Sequence, residues 1–303
     1  MSFWKHHPVA DQKGETLAAK TLEFQRKFKC DFIKITPAGS WQAVCYGVAD
    51  TWNGDSLGRR VITQNIIKRP EDWLTLPDFS KKQIPFFQEI LKACSLVCQD
   101  SDDNTPILST VFCPISQAIQ MAGLPVFLNH IIEHPREVLE GLEHLTRNTL
   151  FIIEELIKAG SDGIYFVAQH MQDGILSPDT YKIFGEYFDA QCLDVCKNLL
   201  FNIFHIHGTN IFPAIGNIPA NCYIHYEYAS AANFSLSFLK KYEQQILVGL
   251  PLAEMVQCRN EDEIQQLIIG KSRGNIITSG CVLPLGFPDE SILEWMRVSK
   301  NIS

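Results

Sequence analysis

The stretch LFNIFHIHGTN, residues 200–210, is short and rich in aromatic and β-branched residues, and it closes on a Gly-Thr-Asn turn. That pattern reads as a buried strand ending in a turn. Along such a strand His205 and His207 point one way, while Phe204 and Ile206 point the other. Two imidazoles on one face of an otherwise apolar strand ask for a chemical reason.

Working outward, the same kind of segment recurs along the whole chain. Strands are expected at SFWKH (2–6), DFIKITP (31–37), PILSTVF (106–112), DGIYFVA (162–168), LFNIFHIH (200–207), CYIHYEY (222–228), QILVGL (245–250) and NIITSGC (275–281). Helical periodicity fills the spaces between them, at 15–28, 80–99, 130–160 and 177–199 and after each of the last three strands. Pro135 is expected to divide the long third stretch and Gly160 to end it, while Ser177-Pro178 makes an N-cap and first turn. Eight strands alternating with helices predict a single (β/α)₈ TIM barrel over residues 1–303. An open doubly wound sheet is the runner-up, but no G-x-G-x-x-G follows the first strand, so its dinucleotide-binding form lacks support. The irregular region 38–80, after the second strand, is too long for an ordinary connection and is expected as a long loop or lid insertion over the C-terminal mouth.

Bulk properties narrow the function classes. Hydrophobic residues make up 46% of the chain and charged residues 20%, as in ordinary globular proteins. The formal charge of −8 argues against nucleic-acid and anionic-membrane surfaces as partners. No apolar run reaches the length of a membrane span or a signal peptide, so a cytoplasmic location is expected. The ten cysteines read as reduced thiols, and the i,i+4 pairs Cys94/Cys98 and Cys192/Cys196 as packing residues on helix faces.

In a barrel the chemistry sits at the C-terminal ends of strands. The polar residues there are His6, His7, Lys34, Thr36, Cys113, Gln169, His170, His205, His207, His225, Glu227 and Cys281, including six of the nine histidines. His205, His207 and Cys281 form the sharpest set, because imidazole nitrogen and thiolate sulfur suit Zn²⁺ and three protein ligands leave a fourth position open. The alternative is that both histidines simply hydrogen-bond neighbours. Lys34 reads as a buried lysine of lowered pKa, a cation for an anionic substrate, or one half of a structural ion pair. His225 and Glu227, also i,i+2, suit a base with its orienting carboxylate, an outer shell to a metal, or a structural hydrogen bond. Loop solvation explains His170 and Asp173 as well as chemistry does, so neither is given a role, and His130, His134 and His144 fall on helical patterns.

The chain resembles the uroporphyrinogen decarboxylase superfamily. The marks are DFIKITPAGSW (31–41), PILSTVFCPISQAIQMAG (106–123), AGSDGIYFVAQ (159–169), GILSPDTYKIFGEYF (174–188), HIHG (205–208) and GNIITSGCVLPLGFPDESI (274–292). The resemblance implies a (β/α)₈ barrel that is either a decarboxylase or a zinc-dependent methyltransferase working with thiols and corrinoid proteins. It resembles the methyltransferase branch at His205 and Gly208, which match H-x-C-G, and at Gly280, Cys281 and Pro284, which match G-C-x-x-P. His207 stands where that branch has cysteine, which makes a bound metal a stronger Lewis acid and a weaker donor to a bound thiolate. The decarboxylase branch carries R-Q-x-G-R at the first strand end, where this chain has WKHHP (4–8). Arg59, Arg60, Lys5 and Lys34 would have to meet the substrate's carboxylates instead.

The expected enzyme is therefore a methyltransferase with Zn²⁺ on His205, His207 and Cys281, a small thiol or oxygen substrate, and a corrinoid methyl donor. His225 with Glu227, and His6 or His7, would move protons or orient substrate, and Lys34, Gln169, Arg59 and Arg60 would line the pocket. A metal-free decarboxylase and a non-catalytic tetrapyrrole- or partner-binding barrel are the alternatives. The resemblance allows a homodimer.

Overall fold

The computed structural model describes residues 1–101, 104–272 and 276–302. Nine strands occur among them: β1 (Ile33–Ile35), β2 (Ala49–Thr51), β3 (Val61–Gln64), β4 (Ile107–Phe112), β5 (Gly163–Ala168), β6 (Asn202–Ile206), β7 (Cys222–Glu227), β8 (Ile246–Leu250) and β9 (Ile276–Ser279). Seven of them form one parallel sheet in the order β1-β4-β5-β6-β7-β8-β9, which is chain order without crossovers. Every residue of β4, β5, β6 and β8 is buried, as a parallel strand covered on both faces requires.

The N-terminal segment closes the circle. Ser2 bridges Thr278 of β9 in parallel on one side. On the other, the Asp31 amide donates to the Met1 carbonyl (3.2 Å) and the Phe32 amide to Ser2 Oγ (3.0 Å). The molecule is a (β/α)₈ barrel. The strand expected at 2–6 is reduced to that one bridge. Past Ser2 the segment turns to the loop after β9, where the Trp4 carbonyl accepts from the Leu283 amide (2.9 Å). Residue 275, the start of the last expected strand, lies outside the described residues.

Helices cover the outside. Helix Gly14–Phe28 buries Leu17, Ala18, Thr21, Leu22, Gln25 and Phe28, the stripe that helical spacing places on one face. Helix Pro85–Asp100 opens on proline and buries Phe87, Ile90, Ala93, Cys94 and Val97. The stretch 130–160 breaks before Pro135 into Leu124–Glu133 and Pro135–Lys158. No single helix among the described residues is long and apolar enough to cross a membrane. All ten cysteines are free thiols, with Cys94, Cys192 and Cys196 buried and Cys98 half-buried.

The stretch expected as one helix at 177–199 contains a π turn, Lys182–Glu186, between Pro178–Tyr181 and Tyr187–Asp194. In a regular helix, residues eight apart are turned by about 80°. The extra residue of the π turn undoes much of that offset, and the Tyr181 hydroxyl donates to Asp189 Oδ2 at 2.6 Å. Asp189 is 4% exposed, its Oδ1 has no partner, and burial pushes its pKa up to about 7 against the Tyr181 hydrogen bond. Cys113, at the end of β4, adjoins this pair, with Sγ 3.9 Å from the Tyr181 hydroxyl and 3.0 Å from Ser116 Oγ.

The region 38–80 is not a bare loop. It forms the short helix Trp41–Cys45, the antiparallel hairpin β2–β3 and 3₁₀ turns at Pro70–Thr75 and Phe79–Lys81. Arg60 fastens the hairpin, donating from Nε to Asp50 (2.7 Å) and from Nη1 to the Pro8 carbonyl (2.8 Å), with Asp11 3.8 Å away. The Leu285 amide donates to the Ser56 carbonyl (2.8 Å). These contacts tie the hairpin to the segments that follow the first and last strand positions. They do not by themselves make it a lid.

Candidate metal centre

Alternation along β6 sends His205 and His207 to the inner side of the sheet, as the spacing predicts. Gly208 then turns the chain at φ +120°, where a Cβ would collide with the Gln172 side chain. Cys281 stands just past β9, after Gly280. The preceding Gly280 lies so close to the Glu227 side chain that a Cβ there has no room. The two strand ends meet: one donor atom each from His205, His207 and Cys281 lies within 4.8 Å of the others. Cys281 Sγ is 3.4 Å from His207 Nδ1.

The electrostatics suit these donors. Burial, with the charges of His225 and His207, holds His205 well below the ordinary imidazole range, so its ring is neutral, and its buried Nδ1 has no hydrogen-bond partner. Burial pushes the Cys281 thiol up, but the charge and hydrogen bond of His207, the Val282 amide and Lys34 together bring it below the usual value. Burial likewise opposes a charged His207, yet Cys281 raises it. Each of the two shifts the other toward its charged form. Neutral imidazole and thiolate are the forms that bind a metal ion.

His225 lies beside His205 in the sheet register, and the two rings stack at 4.6 Å and 26°. Both its nitrogens are engaged: Nδ1 with the Tyr165 hydroxyl (2.8 Å), and Nε2 with Thr278 Oγ1 (2.9 Å) and the Ser279 carbonyl (3.1 Å). Neither nitrogen meets Glu227, so the expected base and orienting carboxylate are not brought together. The i,i+2 spacing gave them a common face, but the His225 ring is drawn across the barrel to Tyr165 and Thr278. Glu227 instead adjoins Gly280 and feels the charge of His207, while burial raises its carboxyl.

The remaining expected residues divide. Lys34 points inward, with Nζ 4.5 Å from the Tyr165 ring centre, 5.4 Å from that of Trp4 and 3.4 Å from Thr36 Oγ1. Burial brings its pKa down to about 7, the charge of Cys281 acting the other way. His6 is held at about 3 by burial and then by Lys34, His7 and His207, and its Nδ1 has no partner. His7 is held at about 4 by burial and then Lys20, with Glu23 opposing, which places it toward the first helix. Gln169 Oε1 accepts from Gln120 Nε2 (2.7 Å), and the Gln169 backbone N–H donates to Ser116 Oγ (2.9 Å). Arg59 is paired with Asp55 (2.7 Å) at the surface, though its charge reaches His207 and Cys281. Arg60 belongs to the hairpin network and is not brought to the donor set.

Sequence reasoning passed over two residues. His170 has a buried Nδ1 without a partner and is held at about 4 by burial and by His207. Its position just past a strand end was the available signal. Tyr165, which anchors His225, could have been found as the inward-facing hydroxyl in an apolar strand.

A profile of the family described as uroporphyrinogen decarboxylase (URO-D) matches residues 5–302. The chain belongs to that family. No curated protein sequence matches it. Among solved structures it is similar to a methyltransferase from Methanosarcina mazei, at TM-score 0.78 and 14% identity, covering 97% of this chain and 87% of that one. A B12-independent methionine synthase from Shewanella, in complex with selenomethionine, gives 0.61 and 12%, covering 95% and 86%. A vitamin-B12 independent methionine synthase from Listeria monocytogenes gives 0.55 and 13%, covering 96% and 87%. At these identities the likeness is one of fold.

Proposed function

We propose that this URO-D family protein is a zinc-dependent methyltransferase acting on a small thiol. The observation that carries the reading is the donor set, in which His205, His207 and Cys281 offer nitrogen, nitrogen and sulfur within 4.8 Å at the barrel mouth. Two imidazoles and a thiolate are zinc chemistry, and three protein ligands leave a position for substrate. A zinc ion there would keep a bound thiol deprotonated near neutral pH.

The chain's own groups do the rest. His225, fixed at both nitrogens and stacked on His205, holds that ring in place. Glu227, whose half-buried carboxyl burial raises above its ordinary value, would take the proton that the thiol releases. His6 and Gln169 orient the substrate, and Lys34 and Arg59 supply positive charge. The methyl group arrives from a corrinoid carried by a partner protein. The methyltransferase from Methanosarcina mazei supports this reading through its shared fold. Ten unpaired thiols fit a reducing compartment such as the cytoplasm.

Metal analysis of the purified protein tests the reading. Stoichiometric zinc is expected in wild type, with loss in His205→Ala and Cys281→Ser. Wild type without zinc defeats the mechanism, and zinc retained in both variants defeats the ligand assignment. Decarboxylation of uroporphyrinogen is the second reading and draws on the family description. With Arg60 engaged by Asp50 and Asp11, Lys34 and Arg59 would have to meet the substrate's carboxylates. Release of CO₂ from uroporphyrinogen by zinc-free protein selects that reading.

A further inference from the structure

We propose that Lys34 is a nucleophilic amine that captures the carbonyl group of a small aldehyde or ketone in the barrel mouth as an imine. This activity stands apart from the methyl-transfer reading, because none of its steps uses a metal.

Strand β1 packs Ile33 and Ile35 into the core and sends Lys34 the other way, into the barrel. A lysine in such a position ordinarily has a carboxylate partner. Among the described residues no carboxylate lies within ion-pair distance of Lys34 Nζ. Its surroundings are the rings of Tyr165 and Trp4 and, at 3.4 Å, the Thr36 hydroxyl. Two aromatic faces attract a cation, but they do not replace a lost hydration shell. Burial brings the amine down to about 7, so a large share of molecules carries a free lone pair near neutral pH. A site built only to hold an anion would keep the lysine charged. Burial and the missing carboxylate favour the neutral, reactive form.

The reaction balances without an oxidant or reductant. Lys34 Nζ bonds to the carbonyl carbon, and the C=O π pair moves to oxygen, which takes up a proton. Loss of the amine proton and departure of that oxygen as water leave C=N, so amine and carbonyl become imine and water. His6 is the neighbour suited to carry the proton between nitrogen and oxygen. Its Nδ1 has no partner, and its titration feels Lys34.

The test treats the full-length protein with pyruvate and sodium cyanoborohydride near pH 7.5, then maps reduced adducts by peptide mass spectrometry. Adduct at Lys34 is expected on the order of ten- to a hundredfold above the surface lysines, which are almost wholly protonated at that pH. It should vanish in Lys34→Arg, with circular dichroism confirming the fold. Label spread evenly over the lysines, or absent from Lys34 in folded wild type, overturns the proposal. Zinc content measured on the same samples separates the two readings. Lys34 labelling in zinc-free protein upholds the imine and removes the metal mechanism, and zinc without labelling does the reverse.

Discussion

Cys281 Sγ lies 3.4 Å from His207 Nδ1, and each residue moves the other toward its charged form. The consequence is a pH window in the metal-free protein. His207 has a raised pKa, so its contribution to stability is present below the unfolded imidazole value of about 6.5 and is lost as pH rises through the folded one. Cys281 has a depressed pKa, so its contribution is present above the unfolded thiol value of about 8.5 and is lost as pH falls through the folded one. The charged form of each group favours the charged form of the other. Iodoacetamide should therefore alkylate Cys281 at pH values where ordinary thiols are inert, and His207→Ala should move that reactivity to higher pH. An alkylation profile unchanged by His207→Ala would show that the two do not interact.

His225 is a positioning residue. His225→Ala leaves the buried Tyr165 hydroxyl and Thr278 without this partner and removes the ring stacked on His205. A loss of about 1–3 kcal/mol is expected for a buried polar group left unpaired. Zinc affinity should fall about ten- to a hundredfold, the usual effect of losing an outer-shell partner. Chemical denaturation and competitive chelator titration measure the two effects, and unchanged metal affinity would assign His225 to packing alone.

Asp189 makes the fold sensitive to alkali. Its folded pKa of about 7 lies above the unfolded value of about 3.9, so the neutral acid is the form that the interior accepts. Stability from this group is full below the unfolded pKa and is lost as pH rises through about 7. The span amounts to a few kcal/mol, on the order of 1.4 per pKa unit. Asp189→Asn should flatten the decline in Tm between acid and neutral pH. An unaltered slope would show that the carboxyl is already ionised in the native state.

Gly208→Ala places a methyl group against Gln172 in a backbone conformation that side chains resist. A cost of about 1–3 kcal/mol is expected, together with weakened zinc binding, because the turn sets where His207 ends. The same Tm and zinc capacity in the variant would show that the turn relaxes freely.

The barrel was legible because its strands are short apolar runs between periodic helices, and all but the first, which shrinks to one bridge at Ser2, are found where they were expected. The pairing of His205 with His207 was legible for the same reason: a period of two is local. The approach of Cys281 was expected from strand order and family resemblance, since no local pattern reports a contact across 74 positions. What the sequence hid was side-chain direction. His225 and Glu227 share a face, yet the ring goes to Tyr165 and Thr278. Arg60 falls in the region expected to cap the mouth, yet it is consumed by Asp50 and Asp11. The π turn was equally hidden, because one extra residue in a helix leaves the apolar spacing almost unchanged.

The closure of the barrel at Ser2 and Thr278 has a bearing on the donor set. At that seam a strand bridge, backed by the Trp4–Leu283 hydrogen bond, holds the hoop, and Cys281 stands three positions beyond Thr278. Parting the hoop draws the thiolate away from the two imidazoles on β6. By reciprocity, any ion gripped by all three pulls the hoop shut. Occupancy of the mouth and integrity of the seam are thus one equilibrium, so that a change made at the first residues of the chain is felt at the opposite strand ends.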